Sequence, residues 1–201
     1  MKPVTEYATL RPGLFLWQGY EPEVKCDCSS TAIVTTAGLI FIDPIPLSKE
    51  ALQELVADSF SAPAAVVLTS GNHQRESIVL AKRFGIPIFA PIEAGEDIIA
   101  DQRFSAGDAV AGMEAIALPG FGPGETAFLC EGVLILGDAV INLEPHSEKG
   151  GLRRLPEKYC LDKKAAHRSL AILKALKPEI LCFAHGNPIV EDAPERLSAM
   201  G

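Results

Sequence analysis

An apolar strand that runs straight into a polar loop and then a helix constrains this chain most. Residues Ala64 to Thr69 read Ala-Ala-Val-Val-Leu-Thr, a continuous apolar run that fits a strand buried on both faces. Ser70-Gly71-Asn72-His73-Gln74-Arg75 follows, and then a segment from Glu76 to Phe84 with helical spacing of its apolar residues. Gly85 and Pro87 stop that helix, and Ile86 to Ala90 is a second apolar strand. In open α/β folds the side chains that bind and react gather in the loops leaving the C-terminal ends of strands. The loop at 70–75 is such a place.

The surrounding pattern extends this unit. Leu14 to Trp17 is a short apolar strand, and Thr31 to Thr36 and Leu39 to Asp43 flank Ala37-Gly38 as a hairpin. Pro44 and Pro46 end the sheet there, and Ser48 caps a helix over Lys49 to Ala57 whose apolar stripe is Ala51, Leu52, Leu55 and Val56. The second half opens with strands at Gln102 to Ala109 and Met113 to Leu118. Thr126 to Cys130 and Val133 to Leu136 are joined by Glu131-Gly132, a two-residue hairpin turn. Asn142 to Cys160 is polar and irregular and reads as a long surface loop. Asp162 caps a helix from Lys163 to Lys177 with the stripe Ala166, Leu170, Leu173 and Leu176. Ile180 to Ala184 is the last strand, and the tail from Pro188 is a short helix or coil. No linker separates the halves, so residues 1–201 read as one domain of the α/β (α+β) class. Its expected architecture is a four-layer αβ/βα sandwich of two mixed sheets with helices outside.

Composition bounds the function. Glycine and proline make 32 of the 201 residues (17 and 15), above the roughly 12% of average usage, which favours many tight turns. A net charge of −8 argues against a nucleic-acid or anionic-membrane partner. No apolar run approaches the ~20 residues of a spanning helix, and the N-terminus lacks the apolar core of a signal peptide. Five cysteines at irregular spacing do not form a disulfide framework. The expectation is a cytoplasmic protein with reduced thiols.

Four loops after strand ends carry polar or glycine-rich residues: Ser70 to Arg75, Pro119 to Glu125, Gly137 to Ala139, and His185-Gly186-Asn187. With Phe41-Ile42-Asp43 they make an ordered series. In that series the chain resembles the metallo-β-lactamase superfamily. An apolar strand ending in Asp, a strand into a His-x-His-x-Asp-His loop, a Pro-Gly-His-Thr-x-Gly turn, a Gly-Asp element and a closing Gly-His-Gly all have counterparts here in order. The resemblance implies the sandwich fold and a metal-dependent hydrolase.

The residues at the ligand positions depart from that family. Where it supplies three His and one Asp to a zinc pair, this chain has Ser70, Asn72, Gln74 and Arg75, and the next His is Phe121. Only Asp138 and His185 remain as metal ligands. Ser, Asn and Gln are weak neutral donors, Phe is none, and a guanidinium keeps its charge and has no lone pair to give. Two unit charges at ~4 Å interact by about 4 kcal/mol at an effective dielectric near 20, and a divalent ion roughly doubles that. Di-zinc hydrolysis is therefore expected to be lost. Arg75 is expected to take the place of the cation and pair with Asp138, since an unpaired buried carboxylate costs several kcal/mol.

Two functional readings follow. The first is a non-catalytic cleft rimmed by Asn72, His73, Arg75, Phe121, Asp138 and His185, holding a small anion or carboxylate by charge-assisted hydrogen bonds, with no cofactor. The second is a hydrolase using a single atypical zinc or other divalent metal held by Asp138, His185 and His73. His73 sits between two ligand positions, so its first expectation is a loop histidine bonded to backbone; for His185 a structural role in its loop weighs equally. The sequence leaves open whether the chain is an enzyme. Cys26-Asp27-Cys28 places two thiols on one side of an extended segment and reads first as ordinary thiols. Cys130 and Cys182 lie in apolar strands, where free Cys behaves as a small hydrophobe. His146, Cys160 and His167 read as solvated.

Overall fold

The computed structural model describes residues 1–143 and 151–200. Seven successive strands form the first sheet in chain order: β1 Ala8–Arg11, β2 Leu14–Glu21, β3 Cys26–Thr35, β4 Gly38–Ile42, β5 Pro63–Val67, β6 Ile88–Pro91 and β7 Gln102–Phe104. Pairing is antiparallel as far as β4 and parallel from β4 to β7. The second sheet contains β8 Ala109–Val110, β9 Met113–Ala117, β10 Thr126–Cys130 and β11 Val133–Leu136. A small hairpin of β12 Val140–Leu143 and β13 Gly151–Arg154 follows, and β14 Ile180–Phe183 returns to the second sheet parallel to β11. Helices α1 Lys49–Asp58 and α2 Ser77–Phe84 belong to the first half; α3 Lys163–Ala175 and α4 Ala193–Ala199 belong to the second.

Strand alternation produces the layers. On β4, Ile40 and Ile42 face the second sheet and pack with Phe128, Ile135 and Cys182, while Leu39 and Phe41 face outward onto Leu52, Leu55 and Leu80 of α1 and α2. On β11, Val133 and Ile135 face inward, and Leu134 and Leu136 meet Ala166, Leu170 and Leu173 of α3. Three apolar layers thus lie between four layers of secondary structure, the sandwich expected from two sheets whose central strands are apolar on both faces. Local signals are met: Ser48 Oγ accepts from Ala51 N, Asp162 caps α3 through Lys164 N and Ala165 N, and Gly85 takes the left-handed conformation that ends α2.

Two expectations change. The single strand expected over Gln102 to Ala109 is two strands in different sheets. Asp108 Oδ2 accepts from Ser105 N in a turn between them, and the chain crosses from one sheet to the other there. The loop expected over Asn142 to Cys160 contains the end of β12, all of β13 and a 3-10 turn at Glu157–Tyr159 among its described residues. Residue 146 lies outside the described residues, so the expectation for that histidine has no counterpart there. β1 adds an edge strand whose residues show no clear alternation.

Candidate functional site

The site forms where β4, β5 and β14 end. Asp43 follows β4 in a left-handed conformation (φ 46°), and its buried carboxylate accepts from Thr69 N at 2.8 Å and Thr69 Oγ1 at 2.5 Å. That ties the ends of two parallel strands and sets where the 70–75 loop begins. Ser70 Oγ then accepts from Asn72 N and caps a 3-10 turn over Gly71–His73. A Cβ on Gly71 would stand 2.1 Å from the Ala94 carbonyl oxygen, so only glycine fits this turn.

The turn delivers His73 to the centre of the site. His73 is 3% exposed, with Nδ1 2.9 Å from both Asp43 Oδ2 and Thr69 Oγ1, and Nε2 3.2 Å from Asp138 Oδ1. Asp138, two residues past β11, receives His185 Nε2 on the same oxygen at 3.2 Å and Asn72 Nδ2 on Oδ2 at 3.1 Å. His185 follows β14, and its Nδ1 faces the Asp27 carbonyl at 3.1 Å and Cys26 Sγ at 3.4 Å. A Cβ on the next residue, Gly186, would lie 2.0 Å from the Asn142 carbonyl oxygen, so glycine is required where this loop passes the hairpin.

Electrostatics follow from this packing. Burial opposes protonation of His73, but Asp138 and Asp43 outweigh it and push its pKa up to about 10. Burial likewise opposes ionisation of Asp138, yet His73 and His185 hold it well below the usual carboxylate range. Against the same burial penalty, His73 and Arg75 hold Asp43 low. Burial opposes charging of His185 as well, but its hydrogen bond to Asp138 leads the groups that raise its pKa. Glu125, at the end of the 119–125 loop and not among the expected site residues, is 2% exposed. Burial and then Asp138 push its pKa up to about 8; Oε1 accepts from Ala139 N, and Oε2 has no partner among the described residues. Cys28 is drawn down to about 4, first by the Cys26 thiol and then by His185 and Arg75 against burial, while the shared proton and burial raise Cys26.

Other expected site residues fall differently. Arg75 points inward but does not pair with Asp138. Its Nη1 donates to the carbonyls of Ser29 (2.9 Å) and Asp43 (3.0 Å), and Nη2 to that of Ala184 (3.3 Å). The guanidinium is satisfied by three carbonyls, that of Ser29 within β3 and those of Asp43 and Ala184 just past β4 and β14, and Asp138 takes the two histidines instead. His73 is bound by two carboxylates and a hydroxyl, not by backbone as first expected. Phe121 is fully buried against α3 and does not rim the cleft. Gln74 turns away, bonding both its amide atoms to the backbone of Ile99. Ser70 is buried as a cap. His167 is exposed, Cys130 and Cys182 are buried, and Cys160 is half-buried. All five cysteines are free.

The cleft itself has a volume of about 900 Å³, in the range of small-molecule sites. Asn72, His73, Arg75, Asp138 and His185 form its floor, with Cys26 and Cys28 at one side. Ile141, Leu143, Leu155 and Tyr159, from the hairpin and the segment after it, make an apolar wall.

Strand-end loops thus converge on one aspartate and one closing histidine, beside two mixed sheets. The family model described as the metallo-beta-lactamase superfamily matches residues 7–200. The chain belongs to the metallo-beta-lactamase superfamily. Solved structures agree on the fold. The DIM-1 metallo-beta-lactamase, in a crystal exposed to ceftazidime, superposes with TM-score 0.75 at 12% identity, over 98% of this chain and 96% of that one. A metallo-beta-lactamase family protein from Thermus thermophilus gives 0.66 at 20%, over 95% and 80%. TTHA1623, solved in a di-iron-bound form, gives 0.65 at 19%, over 91% and 98%. No curated protein matches the sequence. No helix of the described residues is long and apolar enough to cross a membrane.

The fit to a metal can be tested on these side chains. A two-metal set does not fit: Ser70, Gln74, Arg75 and Phe121 are committed elsewhere, and Asn72 serves Asp138. One ion fits better. One ligand atom each from His73, Asp138 and His185 lie within 4.8 Å of one another. Both imidazole Nε2 atoms stand 3.2 Å from Asp138 Oδ1, close to the ~3.3–3.4 Å between ligand atoms around a tetrahedral ion bound at ~2.0–2.1 Å. Each imidazole also has an acceptor at Nδ1, Asp43 for one and the Asp27 carbonyl for the other, which directs Nε2 toward the shared point.

Proposed function

We propose that this chain is a single-metal member of its superfamily, a metal-dependent hydrolase-like protein that holds one divalent ion on His73 Nε2, Asp138 and His185 Nε2. The observation that carries the reading is the convergence of two imidazole nitrogens on one carboxylate oxygen. With both Nδ1 atoms donating to acceptors, each Nε2 facing Asp138 must carry a second proton or face a metal ion. Two lone pairs set against a carboxylate oxygen would repel.

When bound, such an ion would supply Lewis acidity and a water of lowered pKa. The chain's own groups do the rest. Asp43 fixes the tautomer and tilt of His73. The Asp27 carbonyl does the same for His185, and Asn72 occupies Oδ2 of Asp138 so that Oδ1 faces the cleft. Arg75 ties β3 to the ends of β4 and β14 through three carbonyls. Glu125, protonated at neutral pH, keeps a second negative charge away from Asp138. The apolar wall excludes water from one side of the cleft. A neighbour solved in a di-iron-bound form supports metal use on this fold, and the loss of four of its superfamily's seven ligand positions to non-ligating groups, with Asn72 as a fifth, supports one ion over two.

The alternative is a metal-free cleft for a small anion or carboxylate. What favours it is that His73, His185 and Arg75 then set three cationic groups against Asp43 and Asp138. Metal content of protein purified without chelator or nickel resin separates the two. The single-metal reading expects one equivalent that depends on Asp138, so that Asp138→Asn binds one equivalent less than wild type. Folded protein that takes up no zinc, cobalt or iron dependent on Asp138 would refute it and leave the anion cleft.

A further inference from the structure

The thiols beside His185 belong to no part of the single-metal site. Cys26 and Cys28 are two residues apart on β3, so their side chains share one face, and that face looks into the cleft. Cys26 is half-buried and Cys28 is 5% exposed. Their two sulphurs and one nitrogen of His185 lie within 4.8 Å of one another. Cys26 Sγ is 3.4 Å from His185 Nδ1, the nitrogen that faces away from Asp138.

We propose that Cys26, Cys28 and Nδ1 of His185 form a second, sulphur-rich site that takes a thiophilic d10 divalent ion, zinc by class, with its fourth position open to the cleft. The geometry suits it. With metal–sulphur bonds of ~2.3 Å and metal–nitrogen bonds of ~2.0–2.1 Å, a tetrahedral ion sets sulphur and nitrogen ligands about 3.5 Å apart. The Cys26–His185 separation already matches. Two thiolates with one imidazole form the donor set that selects zinc over hard cations such as magnesium or calcium. Both thiols pack on the apolar cluster that holds Trp17 and Ile45, and both also line the cleft beside the His185 imidazole.

The site is distinct from that of His73 and Asp138 and stands independently of the single-metal reading. His185 faces one site with each ring nitrogen. Loading the thiol side releases the proton that Cys26 and Cys28 share and the proton of Nδ1, which then leaves the Asp27 carbonyl. With both sites filled the ring bridges them as an imidazolate.

X-ray absorption at the zinc edge of the zinc-loaded full chain tests this without any substitution. The expected result is sulphur scattering at about 2.3 Å. Cobalt-loaded protein is expected to show sulphur-to-cobalt charge-transfer absorption in the near ultraviolet. Cys26→Ser and Cys28→Ser should each weaken or remove that band and lower bound zinc by one equivalent. Asp138→Asn should leave the band and the sulphur shell in place, so failure of the single-metal reading does not mimic failure here. A wild-type zinc spectrum with nitrogen and oxygen scattering alone would overturn the proposal. So would thiol titration showing Cys26 and Cys28 already joined as a disulfide in purified protein.

Discussion

Asp43→Asn isolates the role of the buried carboxylate behind His73. In the wild type, Asp43 accepts from Thr69 N and Thr69 Oγ1 and faces His73 Nδ1, at 2% exposure. The substitution keeps the shape and removes the charge. His73 is raised from 6.5 to about 10, corresponding to roughly 5 kcal/mol in favour of the charged ring, shared between Asp138 and Asp43. Breaking a buried pair at one partner costs about 3–5 kcal/mol in general. A loss of about 2–5 kcal/mol is therefore expected, or about 5–15 °C in Tm for a chain of this size. The amide also presents N–H where His73 Nδ1 needs an acceptor. That favours the other tautomer, with its proton on Nε2, and weakens metal affinity at least 10–100-fold. Circular dichroism melts with and without chelator, and zinc titration against a competing indicator, measure both. A variant that melts within 2 °C of wild type and binds zinc with unchanged affinity would refute the argument that Asp43 orients and charges His73.

Further outcomes follow from the same geometry. In chelator-treated protein the raised pKa of His73 gives stability that is complete below pH ~6.5 and lost as pH rises through about 10, so the unfolding free energy should fall across that window by up to about 1.4 kcal/mol per pH unit, read as a falling Tm; a flat profile would contradict a charged His73. Glu125 folds as a neutral acid with its pKa raised to about 8, so at pH 7–8 folding must first protonate it; Glu125→Gln should raise the stability there by a few kcal/mol and leave it nearly unchanged below pH 4, as urea melts at the two pH values would show. Arg75→Met leaves the Ser29 carbonyl without its guanidinium donor, while the Asp43 carbonyl keeps Ser30 Oγ and the Ala184 carbonyl keeps Ser29 N; a loss of about 1–3 kcal/mol is expected in the same melts. Phe121→His puts an imidazole in an apolar layer and should cost stability without adding a metal equivalent, read by melting and metal analysis.

The sandwich was legible because its signals are local. Gly85, Glu131-Gly132, Ser48 and Asp162 each end or start an element by their own backbone preferences. Apolar runs such as Leu39 to Ile42 required cover on both faces. β13 was missed because Gly-Leu-Arg-Arg has no alternation and no fully buried residue. The break after Phe104 was missed because the turn that ends β7 looks polar but not interrupted.

At the site, Asp138 and His185 were legible from motif order, and the role of His73 was not. Counting positions along an extended loop sets residues 70, 72 and 74 on one side. The 3-10 turn at Gly71–His73 instead sends Asn72 and His73 together onto Asp138 and turns Gln74 away. The Arg75–Asp138 pair failed for a related reason. Charge arithmetic saw one carboxylate, while the carbonyls of Ser29, Asp43 and Ala184 come together only once the strands are in place. Cys26 and Cys28 were visible as a pair on one strand face, but the approach of His185 from the other end of the chain was not.

Anomalous diffraction at the zinc edge from crystals of zinc-loaded protein tests the central claim most directly. A peak at about 2.0–2.2 Å from His73 Nε2, His185 Nε2 and an Asp138 carboxylate oxygen is predicted, with none against Ser70, Gln74 or Phe121. No peak between those three side chains, or one that leaves His73 bound only to Asp43 and Asp138, would contradict it.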